Sequence, residues 1–204
     1  MNTASDIGFT ASDTINLIES TQCWGPKQEN VYDTDLFPIG PYSEALVVEE
    51  MKKYNPSVVD LNKIWNTQCP GSDIAFVSKR TGELKGIQVK ANVYYPDQKT
   101  QLVSNMFRNW NKKQEWKMDY SLSLAFEAPV DGTAEPFEKG SIPTASLFLL
   151  REDFYNGTLD RYRTVRISYD PFSKIEWANK PHIEQLRANT HFDFDHIIKY
   201  IANL

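Results

Sequence analysis

Glu44, Asp73, Gln88 and Lys90 are of the types, and at the spacing, that could hold a hard cation beside a reacting phosphate. Helical spacing puts Glu44 in an apolar stripe with Val47, Val48 and Met51, where a carboxylate is costly unless it is paired or binds a metal. A second account places Glu44 at the helix N-terminus, where the dipole favours negative charge and water is close. Asp73 stands at the mouth of the apolar run Ile74–Val77, after Pro70-Gly71-Ser72; an ordinary turn residue has the same position. Gln88 and Lys90 share one face of a strand whose other face carries Ile87, Val89 and Ala91, a pattern that an edge strand with one wet face also produces.

The combination says more than its parts. A hairpin brings Asp73 close to the Gln88–Lys90 end of its partner strand. Depending on register, the carboxylate, the amide oxygen and the ammonium converge, with Glu44 completing the cluster from the preceding helix. Mg²⁺ takes oxygen ligands and keeps several waters, so two carboxylates and an amide carbonyl suffice. A lysine beside the ion orients an attacking water or neutralises charge on a phosphoryl group.

The elements that must position these groups are legible in outline. A short helix is expected from Thr14, and a second from an N-cap at Ser43 through Tyr54, ended by Asn55-Pro56. In that helix Glu49 is spaced to pair with Lys52 and Lys53. Strands are expected at 73–77 and 84–92 around the turn Lys79-Arg80-Thr81-Gly82, and at 120–126, 145–150 and 163–169. Leu102, Val103, Met106, Phe107 and Trp110 recur at helical spacing and predict an amphipathic helix over 100–115. A loop is expected over 129–143 and a final helix over 195–204 with Ile197, Ile198 and Ile201 inward. This order predicts an α/β chain with a mixed central sheet flanked by helices. It reads as a single domain over 1–204: an N-terminal extension (1–40), a core (41–128), and C-terminal strands and helix completing it (129–204).

Glu44, the Pro70-Gly71-Ser72-Asp73 segment and Ile87-Gln88-Val89-Lys90 resemble the PD-(D/E)xK nuclease superfamily, in its Gln-x-Lys variant. The resemblance covers roughly residues 40–92. It implies a restriction-endonuclease-like fold, with Asp73, Gln88 and Glu44 as metal ligands and Lys90 as the catalytic lysine. It also implies hydrolysis of phosphodiester bonds in nucleic acid, expected to be DNA, dependent on Mg²⁺ with Mn²⁺ able to substitute. A duplex cut usually needs two sites, so a homodimer is an expected partner state. The alternative is a catalytically inactive module of the same fold that binds nucleic acid or another protein.

Charge is unevenly spread. The net charge is -5, yet residues 79–117 carry 9 basic and 3 acidic side chains against 4 and 11 in residues 1–78. Lys79, Arg80, Lys85, Arg108, Lys112 and Lys113 are the candidate phosphate-facing side chains of this island, because cations that neutralise phosphates release counterions. A solvated hairpin and helix face is the other account of the same residues. Trp110 and Trp116, among these lysines, are candidates for base stacking or for ordinary packing. With no run of eighteen apolar residues and no basic, apolar leader, neither a membrane span nor a secretory signal is expected. Cys23 and Cys69 form no disulfide framework, and a reducing cytoplasm is the expected compartment. His182, His191 and His196 lack zinc spacing with either cysteine, and no GxxxxGK[ST] or GxGxxG loop is present.

Overall fold

The computed structural model describes residues 8–21, 39–65, 72–94, 100–104, 119–127, 142–150, 165–169, 176–177, 190–191 and 193–204. The first helix, α1 (Ala11–Thr21), starts at a reciprocal cap. The Thr10 backbone N–H donates to Asp13 Oδ2 at 2.7 Å, and the Asp13 N–H donates to Thr10 Oγ1 at 3.4 Å. Two donors that the first turn would leave without partners are thereby satisfied.

The second helix, α2 (Ile39–Lys52), begins four residues before the expected cap. Pro41 lies in its first turn, where no intrahelical N–H bond is lost and proline is tolerated. Ser43 is therefore not the N-cap; its hydroxyl donates to the Gly40 carbonyl at 2.7 Å. Val47, Val48 and Met51 are buried, as the stripe predicts. Lys53 pairs with Glu50 at 2.6 Å rather than with Glu49.

The chain leaves α2 through a buried polar clip. Asn55 Nδ2 donates to the carbonyls of Val77 (3.1 Å) and Ala202 (3.2 Å), and Asn55 Oδ1 accepts from the Ser57 N–H and hydroxyl. Thr14 of α1 donates to the Ser57 carbonyl at 2.7 Å. One asparagine thus ties the end of α2 to the end of a strand and to the last helix, with its amide hydrogen-bonded at both ends as burial demands.

Strand β1 (Val59–Asp60) and the short helix α3 (Leu61–Trp65) follow. The hairpin then forms from β2 (Ile74–Val77) and β3 (Leu84–Tyr94), paired antiparallel with Ile74 opposite Ile87. Gly82 sits at φ 69° in its turn, a conformation that favours glycine. Strand β4 (Thr100–Ser104) replaces the beginning of the expected helix. It pairs antiparallel with β7 (Val165–Tyr169), which pairs in turn with β8 (Glu176–Trp177). Leu102 and Val103 share helical spacing with Met106, but a strand partner overrides a local period spread over so few residues. Residues 105–115 of that expected helix lie outside the described residues, as does most of the expected loop 129–143.

Strands β5 (Tyr120–Glu127) and β6 (Ala145–Leu150) match their expected places, and β9 (Thr190–His191) pairs with β6. The six-stranded sheet runs β1-β2-β3-β5-β6-β9, with β3 and β5 parallel and the other pairs antiparallel. The last helix, α4 (Phe194–Ala202), is capped by Asp193, whose side chain accepts from the His196 N–H at 3.1 Å. Ile197, Ile198 and Ile201 are buried, as expected.

The chain is thus a mixed α/β fold with helices on both faces of the central sheet. Ile74, Phe76, Ile87, Val89, Leu122 and Leu124 form one core with α2 and α4. Ala75 and Leu84 join Val59, Leu61 and Ile18 of α1 in a smaller one. Among the described residues, no helix is long and apolar enough to cross a membrane.

Candidate functional site

The β2–β3 hairpin sets the site because Asp73 immediately precedes Ile74, whose partner is Ile87. The Asp73 backbone is locked on both sides. Its N–H donates to the Ile87 carbonyl at 2.8 Å, and its carbonyl accepts from the Leu61 N–H at 2.9 Å. Asp73 is 6 % exposed. Asp73 Oδ2 accepts from the Val89 N–H at 2.7 Å and from the Gln88 side-chain amide. Asp73 and Gln88 are therefore in direct contact, as a shared ion requires. In this arrangement the amide nitrogen of Gln88 faces the carboxylate. A half-turn of the amide exchanges its nitrogen for its oxygen at the same place, since the two ends of the group are nearly alike in shape.

Glu44 is the sixth residue of α2, beyond its first turn, and only 8 % exposed. The account that placed it in water at a helix N-terminus is thereby overturned. Its nearest described polar partner is a residue the sequence did not single out, Asn62 of α3. Asn62 Nδ2 donates to Glu44 Oε2 at 2.8 Å and reaches Asp73 Oδ1 at 3.5 Å. One amide thus spans two buried carboxylates. Asn62 is placed by α3, whose start is fixed by Asp60: Asp60 Oδ1 accepts from the Lys63 N–H at 3.0 Å. A five-residue helix leaves no periodic signal, so only the residue type could have pointed to Asn62.

The electrostatics follow from this crowding. Burial pushes the Glu44 carboxyl up to about 7, with the negative charge of Asp73 adding to the rise; the Asn62 hydrogen bond and the positive charge of Lys90 oppose it. Asp73 is also raised, by burial first, against the pull of Lys90, the Val89 N–H and Asn62. Asp60 raises both. Lys90 therefore acts electrostatically on both carboxylates, and its one positive charge does not cancel two buried negative ones. A divalent cation is the natural complement of such a pair.

The donor set fits a hard ion: carboxylate oxygens from Glu44 and Asp73, and an amide oxygen from Gln88 once it has turned. Among the described residues, no three side chains of His, Cys, Asp or Glu form a ready metal cage; the set here has two carboxylates and an amide. Replacing Asn62 by Leu removes the neutral donor that spans the two acids among the described residues. Glu44 should then titrate higher still, by roughly one pH unit for the loss of one hydrogen bond to a charged group. Carboxyl ¹³C NMR across pH 5–9 would measure it, and an unmoved Glu44 midpoint would refute the bridging role.

The described basic candidates, Lys79, Arg80 and Lys85, do not gather here. Lys79 and Arg80 belong to the β2–β3 turn, at the other end of β2 from Asp73, ~13 Å away along four residues of strand. Lys79 Nζ donates to Asn203 Oδ1 at 3.3 Å, beyond the end of α4. Lys85 is half-buried and paired with Glu83 at 2.7 Å. Arg108, Lys112 and Lys113 lie outside the described residues.

The chain matches no protein-family model, and no curated protein and no solved structure is significantly similar to it.

Proposed function

We propose that the chain is a metal-dependent nuclease of the restriction-endonuclease-like kind, hydrolysing phosphodiester bonds in DNA. One observation carries the reading: two buried carboxylates, Glu44 and Asp73, are joined through Asn62, and Asp73 meets Gln88, within the field of Lys90. A soluble core gains nothing from such a cluster, because buried acids cost stability unless something compensates them. Asp73, Glu44 and Gln88 would hold Mg²⁺ or Mn²⁺, which supplies charge neutralisation and polarisation at the scissile phosphate. Lys90 donates to the attacking water or to a phosphoryl oxygen as negative charge grows there. Asp73 is held by the Val89 backbone N–H, so it needs little rearrangement to act, and such preorganisation is where a site of this kind gets its rate.

A second reading is favoured by the contact between the Gln88 amide nitrogen and Asp73, which closes the site on itself without an ion. On that reading the chain binds nucleic acid and does not cut it. Cleavage of supercoiled plasmid and of single-stranded oligonucleotides, with Mg²⁺, with Mn²⁺ and with a chelator, separates the two. The nuclease reading expects cutting that stops with chelator; DNA binding without cutting in either metal selects the second. Gln88→Glu refines the test. A charged ligand in place of a neutral one should tighten Mg²⁺ binding by roughly tenfold, with cleavage at limiting Mg²⁺ rising alongside. Weaker binding in that variant would remove Gln88 from the ligand set.

A further inference from the structure

The sheet face that carries Gln88 and Lys90 continues onto β5. Strands β3 and β5 pair in parallel with Gln88 beside Ser121 and Lys90 beside Ser123. Partners across a ladder project from the same face. The core assignment agrees: Val89 and its partner Leu122 both enter the main core, which leaves Lys90 and Ser123 together on the other face. Ser123 is 0 % exposed, and its hydroxyl has no hydrogen-bond partner among the described residues. A buried hydroxyl without a partner is costly and calls for a physical reason. Lys90, beside it, is half-buried and makes no ion pair with any described carboxylate, although its charge acts on Glu44 and Asp73.

We propose that Ser123 is a positioning residue for Lys90, its hydroxyl accepting a hydrogen bond from the Lys90 ammonium when a divalent cation occupies the carboxylates. This rests on the cation-binding reading of Glu44 and Asp73. Without the ion, the two carboxylates attract the ammonium toward β2 and α2. With it, their charge is spent on the ion and the like-charged ammonium is repelled. Ser123 then offers the acceptor on the β5 side of β3. An ammonium has three donors and a hydroxyl has two acceptor lone pairs, so Lys90 keeps two N–H groups for water and phosphate. A flexible four-carbon stem becomes a fixed donor, and fixing the donor is what the reaction needs.

The test uses the full chain with ¹⁵N-labelled lysine, the Lys90 ammonium signal being assigned by its loss in Lys90→Arg. Mg²⁺ should shift this signal and slow its exchange with water by roughly threefold in the unaltered chain, the protection of one added hydrogen bond. In Ser123→Ala, Mg²⁺ should bind about fivefold more weakly, the loss of one hydrogen bond made only in the loaded site, and the slowing should vanish; Ser123→Thr, which keeps the hydroxyl, should restore both. The apo Ser123→Ala protein should melt no lower than the parent, since an unsatisfied polar group has been removed. Its kcat should fall about tenfold with KM unchanged, the loss of one hydrogen bond made only in the loaded site. A Lys90 signal that responds to Mg²⁺ identically in Ser123→Ala overturns the proposal, and so does one that ignores Mg²⁺ in the unaltered chain. If that second result comes with metal-dependent cleavage, the nuclease reading survives alone. Serine-dependent slowing in a protein that cuts nothing supports the positioning role and removes the nuclease. Should Ser123→Thr fail to fold, the Ser123→Ala comparison decides by itself.

Discussion

Lys90→Ala and Asp73→Asn are each expected to reduce Mg²⁺-dependent cleavage of DNA by about 10³-fold or more, in the range of losing a group that acts on the reacting atoms. The two losses should differ in kind. Asp73→Asn keeps an oxygen to accept from the Val89 N–H, the bond that holds the strand mouth at 2.7 Å, so the fold should survive. It removes one of the two negative charges that favour the ion, and Mg²⁺ affinity measured by calorimetry should fall with the rate. Lys90→Ala removes a positive charge from beside the same pair, so Mg²⁺ should bind at least as tightly while cleavage is lost. Opposite movements of affinity with parallel losses of rate are hard to obtain from misfolding or from a contaminating nuclease. Retained cleavage in purified Lys90→Ala would exclude the assigned site. Weaker Mg²⁺ binding in Lys90→Ala would show that the ion lies elsewhere.

The second large effect is on stability. Glu44 titrates at about 7 in the fold against an ordinary 4.5. Between these values the folded chain holds a proton that the unfolded chain has released. Stability therefore falls as pH rises through this window, and the full cost is present above about 7. Glu44→Gln keeps an oxygen to accept from Asn62 but cannot ionise. The variant should be more stable than the parent by about 2–3 kcal/mol at pH 8, after allowance for partial solvation of the group. In melting temperature this is about 5–10 °C for a chain of this size. The advantage should shrink to near zero below pH 4.5, where the parent is also neutral. Saturating Mg²⁺ should close the gap at pH 8, because an ion that binds only the folded parent stabilises it by mass action. Urea unfolding of both proteins at pH 4.5 and 8, with and without Mg²⁺, checks each statement. Equal stabilities at pH 8 without Mg²⁺ would mean that Glu44 is not a buried acid.

How far the sequence carries this picture differs by element. The α2 stripe was legible because Val47, Val48 and Met51 fall on one face at helical spacing, and all three are buried. Its start was not, because Ser43 has the residue type of an N-cap although it lies inside the helix, where its hydroxyl donates to the Gly40 carbonyl. The hairpin was legible from the Gly82 turn and from the alternation in β3, and with it the contact of Asp73 with Gln88. The strand at 100–104 was hidden because Leu102 and Val103 match helix spacing while their partners, Ile167 and Arg166, are more than sixty residues away. Asn62 was hidden for a different reason: β1 and α3 are too short for any period to register. Ser123 was visible in principle. The run Ser121-Leu122-Ser123-Leu124 alternates strictly, yet it reads as an apolar strand unless the serine face is asked what it meets.

The two ends of the central sheet bear on how copies of this protein can meet. Its outermost strands, Val59–Asp60 and Thr190–His191, are two residues each. Intermolecular strand addition and amyloid-like stacking need a row of free backbone N–H and C=O groups to copy. Two residues provide almost none, and Asp60 places a charge on one edge, a common protection against edge-to-edge growth. Among the described residues, these two strands are therefore poor templates for another chain. A pair of subunits that delivers two sites to a duplex is therefore not expected to join through these two strands, and an interface of side chains needs a specific complementary surface. Such an interface can be removed by point substitution without touching the sheet, and on the nuclease reading proposed above the single subunit that remains would nick one strand at a time.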